Sequence, residues 1–261
     1  MRCQDTGTIN EIIRVDKGDR DKQGNVIYRE VLKVDANGNP PLCDCYKEQI
    51  FVNCNATSGM KPGEQNRFFE NAILDQENRH FFQQAKKFVD SIDVHLKAGT
   101  WLYIHGDKQR AEPRGLSAFG TGKSYLTHCI GNELTRLKYR SIYVTEQKLF
   151  QDIKSTYRKD SEESEEEVLW RYHNVPILLI DDLFKSQYKD WAEDKMFHLL
   201  EARNCPGRVT IINGNYAPNR IDIAMERNGS AVSSRIFGQA VLMEMIGTDR
   251  RRNKLRGPES A

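Results

Sequence analysis

Gly120-Thr121-Gly122-Lys123-Ser124 narrows the fold of this chain more than any other stretch. It is the second half of a phosphate-binding loop, which asks for a Gly, four residues, then Gly-Lys-Ser/Thr. Position 117, where the first Gly belongs, holds Ser117. A Gly does follow the apolar run Trp101–His105 directly, at Gly106. With residues 108–118 set aside, the remainder reads Gly106-Asp107-Phe119-Gly120-Thr121-Gly122-Lys123-Ser124 and fits the motif. The loop is therefore read as opened by an insertion of eleven residues.

Such a loop works because backbone N–H groups and the N-terminus of the next helix face the phosphates, where the helix dipole favours negative charge. Lys123 is expected to reach the β- and γ-phosphates and Ser124 to ligate Mg²⁺. Gly106, Gly120, Thr121 and Gly122 complete the cradle. Read this way, the ligand carries β- and γ-phosphates and comes with Mg²⁺.

Around this loop the pattern alternates. Residues 75–98 read as one helix, with Asp75 as N-cap and Phe81, Ala85, Phe88, Ile92 and Leu96 on one face. Trp101–His105 is a strand and residues 123–138 a helix. Residues 141–145 form a second strand, followed by a helical stretch to Tyr157. The acidic run 161–167 reads as a solvated turn or helix start. Residues 176–180 form a third strand, without a polar residue, as a buried parallel strand requires. A helix over 191–203 and strands over 209–213 and 241–245 complete the series. Strands alternating with helices predict an α/β fold with a mainly parallel sheet.

Two apolar strands end in polar pairs, where open α/β sheets bind ligands. Residues 177–180 deliver Asp181, expected to hold the Mg²⁺ shell, and Asp182, expected to polarise an attacking water. Residues 210–215 deliver amides, of which Asn215 fits best as the group orienting that water, with Asn213 as runner-up. Arg235, before the last strand, is a candidate finger reaching a neighbouring subunit's γ-phosphate. Residues 249–256 form a basic tail suited to DNA phosphates, or to sensing nucleotide through Arg250 or Arg251.

Length and charge bound the rest. The chain has 261 residues, a net charge of +2 and 29% charged residues. One or two domains are expected, and no global field points to nucleic acid. No apolar run is long enough to span a membrane, and the N-terminus lacks the apolar core of a signal peptide, so a cytoplasmic location is expected. Six cysteines suit thiols or metal ligands there better than disulfides. Four of them, Cys3, Cys43, Cys45 and Cys54, fall in residues 1–60, where residues 26–34 read as a strand and 16–25 and 35–41 as turns of a hairpin. A zinc site on those four thiols is one reading and scattered free thiols the other. The expected division is a small N-terminal segment, 1–60, and a nucleotide-binding domain, 61–261.

Residues from about 60 to 251 resemble the AAA+ ATPases of the DnaC/DnaI helicase-loader family, relatives of the IstB transposition ATPases. The stretches FFENAILDQEN, LYIHG with FGTGKSYL, LLIDDL, TIINGNYAP, SSRIFG and EMIGTDRR carry the resemblance. It implies a five-stranded P-loop sheet of order 5-1-4-3-2 with ATP and Mg²⁺ at the strand ends, while the 46 residues after Asn215 leave the large helical lid of many such proteins reduced or absent. It also implies self-association into a ring or spiral that completes each site with Arg235. Cys3 and the Cys43-Asp44-Cys45 pair resemble the zinc-binding N-terminal part of such proteins, where a further cysteine lies upstream. Here either Cys54 replaces it, zinc is lost, or the sequence begins inside a longer chain. The function implied is ATP-dependent loading of a DnaB-type replicative helicase onto single-stranded DNA, for a phage or mobile element. An IstB-like transposition helper and a non-hydrolysing adaptor with a disabled loop are the alternatives.

The insertion has two physical outcomes. It leaves as an irregular surface loop after Asp107 and returns at Phe119, keeping Gly106 and Gly120 in place, at about 1–2 kcal/mol of closure entropy. Or it draws Gly106 away and leaves Ser117, Ala118 and Phe119 to shape the loop. The first is expected, with Lys108, Arg110 and Arg114 free to meet DNA or a neighbouring subunit.

Overall fold

The structure, a computed structural model, describes residues 12–20, 23, 26–32, 59–185 and 187–253. The chain divides into two compact units, Met1–Asn53 and Cys54–Ala261. In the first, β1 (Ile12–Arg20) pairs antiparallel with β2 (Val26–Leu32), and an irregularity between Asp16 and Arg20 interrupts the register. The turn expected to begin at residue 16 thus starts later, because β1 runs on to Arg20. Cys3, Cys43, Cys45 and Cys54 lie outside the described residues.

The second unit is built on five parallel strands, β3 (Trp101–His105), β4 (Ser141–Thr145), β5 (Ile177–Leu183), β6 (Val209–Gly214) and β7 (Ala240–Glu244). Their spatial order is β4-β5-β6-β3-β7. Counted from β3 as the first, this is the expected 5-1-4-3-2. Every residue of β3 is buried. Strand alternation sends Leu102 and Ile104 into one cluster with Leu126, Ile130 and Phe88, while Trp101 and Tyr103 face the other way. A parallel strand needs this cover on both faces.

The helix expected over 75–98 is two: α1 (Arg79–Asp90) and α2 (Ile92–Ala98). The break falls at Ser91, whose backbone leaves helical geometry at φ −107°, ψ 23° and whose hydroxyl donates to Lys87 O at 2.8 Å. Asp75 caps a turn instead of the helix, accepting from the N–H groups of Glu77 and Asn78 at 3.0 Å each. Phe81, Phe82, Ala85, Phe88 and Val89 are the buried face of α1.

Residues 107–118 are not the irregular loop expected. Asp107 caps a helical turn, α3 (Lys108–Ala111), by accepting from Gln109 N, and a 3-10 turn over Glu112–Arg114 follows. Ala111 is fully buried, which the polar composition of the segment concealed. The remaining helices are α4 (Lys123–Arg136), α5 (Glu146–Ser155), α6 (Glu165–Asn174), α7 (Asp190–Ala202), α8 (Gly229–Gln239) and α9 (Arg250–Asn253). Lys138, left-handed at φ 64°, follows the end of α4. Ser164 and Glu167 form a capping box that starts α6 within the acidic run. Among the described residues no large helical lid follows β7, and no helix is long and apolar enough to cross a membrane.

Arg203, just after α7, is fully buried, without a carboxylate partner among the described residues. Its guanidinium donates to Tyr172 O at 2.8 Å, Val175 O at 2.8 Å, Val209 O at 2.7 Å and Thr210 Oγ1 at 2.9 Å, tying the end of α6 to β6.

Candidate functional site

The carboxyl ends of β3, β5 and β6 converge beside the start of α4. Register pairs Ile104 with Asn213 and His105 with Gly214, and Gly106 N donates to Gly214 O at 3.1 Å. Asp107 is fully buried. Burial raises its affinity for a proton, but Ala217 N and the Arg220 guanidinium at 2.8 Å outweigh that and hold its carboxyl below the ordinary value.

Gly106 keeps its place against the loop across the insertion. A Cβ there would stand 2.6 Å from Ala118 O and 3.1 Å from Lys123 Nζ. The inserted chain returns at Ser117, not Phe119. Ser117 exchanges two backbone hydrogen bonds with Gly247, at 2.7 and 3.0 Å. Ala118 then points its carbonyl at Lys123 Nζ, 2.6 Å away. Of the three cations expected to be free, Lys108 pairs with Glu112 at 3.4 Å and Arg110 with Glu244 at 3.0 Å. Arg114 is exposed.

Gly120 and Gly122 take left-handed geometry at φ 66° and 107°, which glycine adopts without steric cost. The turn delivers Lys123 to the first residue of α4, where burial pushes its ammonium down to about 8, Asp182 pulls it up and Arg251 pushes it down. One residue on, Ser124 Oγ donates to Asp181 Oδ1 at 3.0 Å.

Asp181 accepts from three side chains. Besides Ser124 it accepts from Asn213 Nδ2, and from the Tyr143 hydroxyl at 2.5 Å on Oδ2. Asn213 is fully buried, donates also to Thr127 Oγ1 at 2.8 Å, and accepts from Asp182 N at 2.9 Å. Asp182 turns the other way. A register irregularity between Ile180 and Leu183 and a left-handed backbone, φ 58°, aim its 43% exposed side chain outward, with Lys185 at 3.4 Å. Phe184 repeats the left-handed geometry at φ 59° while fully buried, an unfavourable conformation for a bulky residue. The two carboxylates thus occupy distinct environments, one held inside and one presented.

The segment after β7 lies over the loop. Thr121 Oγ1 donates to Met245 O at 3.1 Å, and Arg250 N donates to Gly120 O at 3.0 Å. Thr248 Oγ1 donates to Glu77 at 2.9 Å and the Arg250 guanidinium meets Asp75 at 2.7 Å. Glu77, Phe81, Thr121, Met245, Thr248 and Arg250 line a small cleft between these parts.

The structure brings together Gly106, Gly120, Thr121, Gly122, Lys123, Ser124, Asp181, Asp182 and Arg250. Asn213, not Asn215, reaches Asp181; Asn215 is half-buried just past the end of β6 and makes no hydrogen bond to this cluster. Arg235 is elsewhere, on α8, in an ion pair with Glu201 and with its guanidinium 5.1 Å from the Phe197 ring centre. Sequence reasoning missed Tyr143, His128 and Thr127. Strand alternation places Tyr143 on one face with Ser141 and Thr145, but nothing in the sequence marks its hydroxyl as a partner of Asp181. Among the described residues no cluster of three or more His, Cys, Asp or Glu is placed to hold a metal, and zinc gains no support.

Fold and loop define a P-loop protein of the AAA+ class. The profile of the bacterial DnaA ATPase domain matches residues 64–236, more than half of the chain, and the chain belongs to that family. It is 29% identical over 110 residues to the chromosomal replication initiator DnaA of Chloroflexus aggregans, covering 41% of this chain and 22% of that protein. It is 25% identical over 150 residues to the replicative helicase loader DnaI of Bacillus subtilis, covering 57% and 43%. The match thus spans less than half the length of these curated relatives. Among solved structures, DnaI superposes with a TM-score of 0.55 at 24% identity, covering 74% of this chain and 94% of that one. The DnaC helicase loader gives 0.56 at 18%, covering 71% and 99%, and AMPPCP-bound DnaA from Aquifex aeolicus 0.55 at 22%, covering 75% and 56%. These likenesses establish the fold, and the resemblance to DnaC/DnaI-type loaders holds beside that to DnaA.

Proposed function

We propose that this chain binds and hydrolyses ATP and uses it to place a DnaB-type replicative helicase on single-stranded DNA. The observation that carries the nucleotide reading is the contact of Ser124 Oγ with Asp181 Oδ1 at 3.0 Å, directly after buried Lys123 at the mouth of the glycine loop. A hydroxyl and a carboxylate oxygen are the hard donors Mg²⁺ prefers when phosphates complete its shell, so the residues fit the ion. Ser124 and Asp181 would hold it, and bound there it supplies neutralisation of phosphate charge.

The other roles follow from position. Lys123 exchanges the Ala118 carbonyl for phosphate oxygens. Asp182, presented outward, orients or deprotonates the attacking water, with Asn215 or Asn213 as the amide beside it. Arg250 or Arg251 senses the nucleotide from within the chain. Arg235 acts in trans on a neighbouring subunit after releasing Glu201, and self-association into a ring or spiral supplies that neighbour. The loader reading is supported by the likeness to DnaI, 25% identical over 57% of this chain, against 29% over 41% for DnaA. The family match keeps an initiator-like role as the second reading.

Two measurements test this. Lys123→Ala should abolish most nucleotide binding while Asp182→Asn binds but hydrolyses slowly; equal affinity in wild type and Lys123→Ala refutes the site. Purified DnaB-type helicase should be retained by the wild-type protein, and retention of origin DNA without helicase favours the initiator role.

A further inference from the structure

Behind the Asp181 carboxylate runs a chain of hydrogen bonds, buried from His128 inward, that the loop motifs do not account for. Arg67 NH1 lies 2.8 Å from His128 Nδ1, His128 Nε2 lies 2.9 Å from the Tyr143 hydroxyl, and that hydroxyl lies 2.5 Å from Asp181 Oδ2. The direction of every bond is fixed from one end. Arginine has donors only, so His128 Nδ1 accepts. The ring proton is then on Nε2 and is given to the Tyr143 oxygen. The Tyr143 proton goes in turn to Asp181. His128 and Tyr143 are almost fully buried, so neither bond competes with water.

Strand register explains the reach. Thr145 stands opposite Asp181 and Tyr143 opposite Leu179, so the tyrosine ring spans the diagonal to a residue two places on. The chain begins outside the sheet, on the segment before α1. Asn132 Nδ2 pins that segment to α4 by donating to Glu64 O at 2.9 Å and Arg67 O at 2.7 Å, and the Arg67 guanidinium lies 5.4 Å from the Tyr125 ring centre.

We propose that Tyr143, oriented by His128 and Arg67, is a positioning residue that sets the Asp181 carboxylate for a divalent cation. This rests on the nucleotide reading above and adds to it the group that aims its carboxylate. Tyr143 gives Asp181 Oδ2 its hydrogen bond, while Oδ1, which also accepts from Asn213 Nδ2, faces Ser124. A carboxylate held through one oxygen still swings the other about its last bond; one held through both does not. Outer partners of a metal-binding carboxylate change metal affinity about 10–100-fold when removed.

The test is equilibrium binding of a fluorescent ADP analogue to the full chain, once in EDTA and once across a Mg²⁺ titration, for wild type, Tyr143→Phe and Arg67→Gln. Tyr143→Phe should raise the Mg²⁺ concentration for half-maximal enhancement about tenfold or more, with affinity in EDTA unchanged. Arg67→Gln should shift it less, in the same direction. A folded Tyr143→Phe with wild-type Mg²⁺ dependence overturns the proposal. So does an equal loss with and without Mg²⁺, which marks a structural role. If Tyr143→Phe does not fold, half-exposed Arg67 decides, and wild-type Mg²⁺ dependence in Arg67→Gln is then the overturning result. Wild-type protein that binds no nucleotide at any Mg²⁺ concentration overturns the nucleotide reading and this inference with it.

Discussion

Gly106→Ala tests whether the phosphate loop closes across its insertion. The backbone at Gly106 is not left-handed, so alanine meets no conformational penalty there. The obstacle is the Ala118 carbonyl, 2.6 Å from where Cβ must stand, with Lys123 Nζ at 3.1 Å. A backbone oxygen cannot swing away as a side chain would. Ala118 is itself buried and follows the Ser117–Gly247 bridge, so it resists withdrawal by the better part of an ångström. Overpacking of this kind costs about 1–3 kcal/mol. Because the same carbonyl holds Lys123, nucleotide affinity should fall on the order of ten- to a hundredfold, at about 1.4 kcal/mol per decade. Gly115→Ala is the control. Its φ of 68° strains alanine, by about 1–2 kcal/mol, but its Cβ meets open space. It should lower stability and leave binding alone. Nucleotide titration and urea unfolding of both variants decide the matter. Gly106→Ala protein with wild-type affinity and stability would show that Gly106 does not pack on Ala118, and the alignment across residues 108–118 would fail.

Three further outcomes are expected. Gly120→Ala places Cβ 1.7 Å from Asp249 Oδ1 at a φ of 66°, so the Asp249 side chain should swing aside and give up its bond from Arg251 N; hydrogen exchange at Arg251 should rise, and unchanged protection there would contradict the contact. Arg203→Met leaves buried carbonyls of Tyr172, Val175 and Val209 without their donor, and at about 1 kcal/mol or more for each the loss is on the order of 3–5 kcal/mol by urea unfolding. A loss below about 1 kcal/mol would mean water takes over those acceptors. His105 and His173 are pushed down to about 4 by burial, against an ordinary value of 6.5. Between those values the unfolded chain binds more protons than the folded one, so stability is full above pH 6.5 and falls as pH drops toward 4, by up to about 1.4 kcal/mol per unit for each group. Unfolding midpoints at pH 7 and 5 should differ, and His173→Leu should remove part of the difference; equal midpoints in the wild type contradict the burial argument.

Strand positions were legible because burial on both faces leaves a plain signature: uninterrupted apolar runs that stop at Asp181 and Asn213. The glycine loop was legible because backbone approach to an anion tolerates few residue types. The break at Ser91 was not, since the apolar period runs through it unchanged and a single hydroxyl diverts the backbone. The choice between Asn213 and Asn215 was also closed to sequence. Both lie on one face by strand alternation, and only the parallel register of β6 with β5 and β3 decides which amide meets Asp181. Tyr143 and His128 carry no motif at all. They meet Asp181 because β4 lies beside β5 and α4 lies across both, a relation fixed by the fold.

The insertion shows how a polar segment misleads a reading by composition. Lys108, Arg110, Glu112 and Arg114 suggest a solvated loop, and closure entropy alone would let such a loop hang free at little cost. The physical chemistry points the other way once its ends are placed. Asp107 already needs donors where it is buried, and the first turn of a helix offers two of them, while Arg220 supplies a third. That turn carries Ala111 inward, and the chain then comes back alongside Gly247, whose backbone groups it satisfies in both directions. Gly247 lies on the segment that reaches over Gly120 through Arg250. Residues that interrupt the motif therefore help hold that segment over the loop. Deleting residues 108–118 restores an unbroken motif but removes the Ser117–Gly247 pair. The deletion should then keep Ser124 in place, take from Lys123 the Ala118 carbonyl it donates to, and loosen residues 245–251. A deletion variant with full nucleotide affinity and unaltered exchange protection at 245–251 would mean that the bridge holds nothing.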